Sequence, residues 1–76
     1  MKQRWVIYDD RAKTGSTAGA EALESCASLA DAAASPYTGR RGAKLGIVYQ
    51  YDIVDGRLVN EQYLGPVPSV GGNAAS

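Results

Sequence analysis

The chain reads as a small α+β domain: an antiparallel sheet of three or four strands with one helix packed on one face. Three observations predict this class. Two alternating runs, Gly46–Val54 and Arg57–Leu64, meet at Asp55-Gly56. Asp-Gly between such runs marks a β-hairpin, because glycine reaches positive φ without steric cost. A β-rich stretch, Gln3–Tyr8, lies near the start, and an Ala-, Leu- and Glu-rich segment of strong helix propensity lies between the two.

The first strand is apolar on both parities, with Trp5 and Ile7 on one face and Val6 and Tyr8 on the other. That pattern predicts a strand covered on both sides, hence a central or interface strand. Asp9-Asp10 ends it, and the polar, Gly-containing segment Arg11–Gly19 reads as a loop.

The segment Thr17–Ser35 has two readings. Ala22, Cys26, Leu29 and Ala33 fall on one helical stripe, Ser16 or Thr17 supplies a cap, and Pro36 disfavours helix at Ser35. The rival reading takes Ser28-Leu29-Ala30-Asp31 as an approximate capping box. Ala20–Cys26 is then a separate short strand, and the helix covers only Ser28–Ser35. Nothing in Ala20–Cys26 is β-branched or aromatic, so propensity favours the single helix and the order β-α-β-β over β-β-α-β-β.

Pro36–Lys44 is a loop carrying Arg40, Arg41 and Lys44. In the hairpin, Ile47, Tyr49, Tyr51 and Ile53 share one face and Val48, Gln50, Asp52 and Val54 the other. A two-residue turn pairs Ile53 with Leu58. A three-residue turn with a bulge at Gly56 instead brings Val59, Glu61 and Tyr63 beside Tyr49 and Tyr51. Residues 1–65 form the expected single domain. The tail 66–76, with Pro66, Pro68 and Gly71-Gly72, is too poor in apolar side chains to offset its ordering entropy and is expected to be largely disordered, although Val67 and Val70 have the character to lie along the sheet.

Composition narrows the function. At 76 residues the chain is near the size at which a core barely suffices, and its single cysteine, Cys26, has no disulfide partner. A lone cysteine suits a reducing compartment, and no apolar run is long enough to span a bilayer or begin a signal peptide, so a cytoplasmic domain without membrane contact is expected. The formal net charge of zero gives no global field toward nucleic acid. With no histidine, Cys26 lacks a base, and no cofactor fingerprint or metal-ligand spacing is present. Asp9, Asp10 and Asp52 are better read as solvated turn residues than as cation ligands. Neither catalysis nor a cofactor is expected.

One helix covers one face of a sheet, so the other is expected to stay open. An open face carrying aromatic and polar groups suits protein recognition, and the candidate contacts are Trp5, Tyr8, Tyr49, Tyr51 and Tyr63, with Arg57 at the hairpin tip. The partner is a protein, either a second copy of the chain or a foreign one. The alternative is nucleic acid contacted by Arg40, Arg41 and Lys44, although Gly39–Lys44 lacks the spacing of a phosphate-binding loop. The tyrosines carry no RNP motif and are more cheaply explained by cross-strand packing.

The order of a strand, a helix containing Ala27-Ser28-Leu29-Ala30, and a tight-turned hairpin resembles the layout of small proteins encoded by phages and mobile elements, some small anti-CRISPR inhibitors among them. The resemblance spans roughly residues 2–64 as a pattern and rests on no specific motif, so it transfers no functional residue. It implies a protein that acts by occluding a surface on a host complex.

Overall fold

Both parities of the first strand turn out to be needed, because it runs through the middle of the sheet. The computed structural model describes residues 2–70. Its elements are β1 (Lys2–Tyr8), a 3₁₀ turn (Asp10–Thr14), β2 (Ala22–Cys26), α1 (Leu29–Ala33), β3 (Ile47–Val54) and β4 (Arg57–Pro66). The four strands form one sheet in the order β2-β1-β3-β4, antiparallel throughout. The domain is therefore α+β in the order β-β-α-β-β.

The single long helix over Thr17–Ser35 does not form. Ala20 N–H donates to Thr17 O and Gly19 sits at φ 76°, a turn that no helix interior accommodates. Ser28 then caps α1, its hydroxyl accepting from Asp31 N–H at 3.1 Å. The residues between take the free edge of β1, where Trp5 pairs with Cys26 and Ile7 with Glu24. Cross-strand pairing overrides weak β propensity here. Cys26 and Ala33, which helical spacing placed on one stripe, do meet the same cluster, one from β2 and the other from α1.

Two cores result, one on each face. Ile7, Cys26, Ala32, Val48, Val67 and Val70 fill the face under α1, with Trp5, Ala33, Tyr37 and Leu64 against them. Val6, Ala12, Ile47, Tyr49 and Tyr51 fill the other, with Tyr8, Ala20 and Leu45. The expected open face is thus closed, by the 3₁₀ turn with Ala20 and Leu45 rather than by a second α-helix. The 3₁₀ turn lays Ala12 on the aromatic residues, fully buried, and Tyr49 Oη donates to Ala12 O at 2.7 Å.

The chain joins the sheet beyond its expected end. Pro66 pairs with Ile47, Val67 N–H donates to Gly46 O at 2.9 Å, and residues 67–70 make a helical turn. Val67 is 1% and Val70 8% exposed, so 66–70 belong to the domain, whereas 71–76 lie outside the described residues.

The hairpin closes with the two-residue turn and not with the three-residue turn bulged at Gly56, and its bulges lie further along β4. Asp55 and Gly56 have φ of 52° and 77°, the two positive values of a type I′ turn, and Ile53 pairs with Leu58. The register then slips by one opposite Tyr51, where Asn60 takes φ 56°. This bulge moves Glu61 and Tyr63 onto the Tyr49 face. A second slip leaves Leu64 unpaired and sends it toward the core under α1.

Candidate functional site

The six residues expected at a protein interface divide sharply. Tyr49 is fully buried and Tyr51 nearly so. Tyr8 and Tyr63 stack edge-on against Tyr49 with ring centroids 5.5 and 5.4 Å away. The hydroxyls of Tyr8 and Tyr51 share a hydrogen bond of 2.9 Å, and Tyr51 Oη donates to Glu61 Oε1 at 2.8 Å. Thr17 Oγ1 donates to the same carboxylate oxygen at 3.3 Å, tying the covering loop to β4. Burial raises the pKa of both Tyr49 and Tyr51; for Tyr51 the bonds to Tyr8 and Glu61 raise it further. These phenols stay neutral and hold the second core together.

Trp5 is half-buried in the core under α1, and its Nε1–H finds no acceptor among the described residues. Of the six, Arg57 and Tyr63 are exposed, both on β4. Beside Arg57 at the hairpin tip stand two further exposed apolar residues, Val54 and Leu58, which sequence reasoning passed over. The turn type carried the missing signal for Leu58: a two-residue turn sets it opposite Ile53 at the very end of the sheet, beyond either cover.

Arg40, Arg41 and Lys44 lie at the opposite end of the sheet from Arg57. Their loop is a second small hairpin in which Thr38 bridges Leu45 and Ala43 N–H donates to Arg40 O at 3.0 Å. Arg41 and Gly42 have φ of 55° and 79°, again both positive. Lys2 stands beside Ile53, so the sheet separates it from this loop.

Next to the loop, Asp9, Asp10, Ala43, Lys44 and Leu45 line an open depression of about 410 Å³. Asp9 is not available to a ligand there. Its carboxylate accepts from Arg11 Nε at 3.0 Å, Arg11 N–H at 3.0 Å and Glu21 N–H at 3.2 Å. The Arg11 guanidinium, more than any other group, holds its pKa down at about 2. Asp52 is remote from Asp9, pairing with Gln3 near the other end of β1 and accepting from Asn60 Nδ2 at 2.8 Å. Cys26 is buried, and its Sγ lies 3.3 Å from Glu24 Oε2. Burial, aided by that carboxylate, pushes the thiol up to about 11, so it stays protonated at neutral pH.

No protein-family model matches the chain, and no curated protein or solved structure matches it either. No helix among the described residues is long and apolar enough to cross a membrane.

Proposed function

We propose that this protein is a small non-catalytic binding module that engages a protein partner through the β3–β4 hairpin, centred on its tip. The observation carrying this reading is the position of the exposed apolar side chains. Of the exposed large apolar side chains among the described residues, Leu29 lies on α1, whereas Val54, Leu58 and Tyr63, 43%, 46% and 46% exposed, lie on this hairpin. Val54 stands beside Arg57 on one face of its tip, and Leu58 and Tyr63 lie on the other face. Arginine and aliphatic groups gathered at a projecting tip are of the kind that partners bury, and Tyr63 adds an aromatic ring further along β4. A protonated Cys26 and a fully bonded Asp9 support a role without catalysis. The bulges at Asn60 and Leu64 interrupt the outer edge of β4, so engagement runs through side chains rather than through an added strand. A module of this kind acts by occluding its partner's surface.

The test is affinity capture from the native host with the unaltered chain and with Arg57→Ser/Leu58→Asp, both at the exposed tip. A protein retained in stoichiometric amount by the first and lost from the second, at equal fluorescence and melting behaviour, supports the reading. Identical capture by both, or none by either, overturns it. Sedimentation at high micromolar concentration shows whether that protein is a second copy.

A further inference from the structure

We propose that the 38–45 hairpin is a binding site for the phosphate backbone of nucleic acid, contacted without base specificity by Arg40 and Arg41 with Lys44 at the flank. This inference is independent of the proposed protein contacts at the β3–β4 tip, Val54, Arg57 and Leu58, which lie at the other end of the sheet.

Preorganisation is the first argument. The base of the hairpin is anchored in both cores: Tyr37 packs into one cluster and Leu45 into the other. Gly46 N–H donates to Tyr37 O at 2.9 Å, and Gly39 N–H to Lys44 O at 3.3 Å. The paired positive φ values at Arg41-Gly42 close the tip as a tight type I′ turn. The basic side chains therefore project from a fixed support, and binding them orders little additional chain.

Charge and composition supply the second. Among the described residues the one ion pair is Arg11 with Asp9, so Arg40, Arg41 and Lys44 carry their charge without an acidic neighbour in contact. Asp10 shares the adjoining depression with Lys44, which leaves the main part to the two arginines. Residues 39–44 are all exposed, and Ala43 is the only apolar side chain among them. A protein interface needs an apolar anchor at its centre, and a bilayer surface favours an aromatic or aliphatic wedge. A phosphate backbone needs neither, and guanidinium forks match its oxygens in pairs. No aromatic ring is exposed on this hairpin to stack a base, which removes the usual source of single-strand preference.

Fluorescence anisotropy with labelled duplexes of two unrelated sequences, about 20 base pairs long, tests this. The expected result is equal binding to both, with a dissociation constant of about 10⁻⁴ M at about 50 mM salt. Three phosphate contacts give a slope of roughly −2.7 in log K against log salt, or about forty-fold weakening at 200 mM. Arg40→Gln/Arg41→Gly, the glycine suiting the positive φ, is expected to weaken binding at least about tenfold and to reduce the slope to roughly −1. Arg40→Gln alone, at an ordinary backbone position, falls between. Melting behaviour and Trp5 fluorescence should not change in either. Three results overturn the proposal: no binding at about 50 mM salt, unchanged binding and slope in the double variant, or equally tight binding of polyglutamate or phosphatidylserine vesicles.

Discussion

At Tyr49 the side chain's surroundings, rather than its type, decide its role. Its ring is held edge-on between Tyr8 and Tyr63, and its hydroxyl donates to a carbonyl of the covering loop. A tyrosine on a strand invites a reading as a contact residue, and only the position of Ala12 above it removes that reading. Asp9 anchors the start of the same loop by accepting from Arg11 and Glu21. Its folded pKa is held down at about 2, against 3.8 for a free carboxyl, chiefly by Arg11. A depressed folded pKa means that the stabilisation is present above about pH 4 and is lost as pH falls toward 2. Asp9→Asn is therefore expected to be less stable at pH 7 and to show a flatter decline between pH 4 and 2. Urea titrations across that range, followed by Trp5 fluorescence, measure it. A decline as steep as that of the unaltered chain contradicts the role given to Asp9.

At the scale of elements, local chemistry was legible and remote pairing was not. Asp55-Gly56 announces its turn because the required φ values belong to those two residues alone. Ser28 and Asp31 announce the cap of α1 for the same reason. By contrast, β2 is a strand only because β1 offers it an edge, and nothing within Ala22–Cys26 encodes that edge. The bulge at Asn60 falls between these cases. Asparagine tolerates the left-handed region, which is a local hint, yet the slip that it permits becomes visible only opposite Tyr51. This bulge decides that Glu61 meets the Tyr51 hydroxyl. Asn60→Val is expected to cost about 1–2 kcal/mol, since a β-branched residue at φ 56° is strained, whereas Asn60→Gly costs only a few tenths. Urea midpoints of the two variants give the comparison, and equal losses would argue against backbone strain as the cause.

For the whole molecule, the closing residues weigh more than their place in the chain suggests. A domain of 76 residues has a total stability of roughly 4–11 kcal/mol. Val67→Ala/Val70→Ala removes four buried methyl groups' worth of apolar contact, about 3 kcal/mol at roughly 0.8 per group. The double variant should therefore lose a large share of the total, seen as a lower melting temperature and a lower urea midpoint at unchanged slope. A loss below about 0.5 kcal/mol, the range of an ordinary surface substitution, would place those valines outside the cooperative unit. The candidate contacts were legible only in part for a related reason. Residue type picks out Arg57 and Tyr63, but which aromatic residues stay outside depends on how segments far apart in sequence close over each face.

A sheet covered on both faces has consequences for how such a chain changes over generations. The interior constrains β1, β3 and the loop laid over Tyr49, and a substitution there disturbs packing on one side or the other. The two hairpin tips, residues 39–44 and 54–58, stand outside both clusters and at opposite ends. Each can drift or be selected without renegotiating the core, and without regard to the other. The fold thus behaves as a constant frame with two independently variable ends, and new binding preferences can arise at either one while the rest of the sequence stays still.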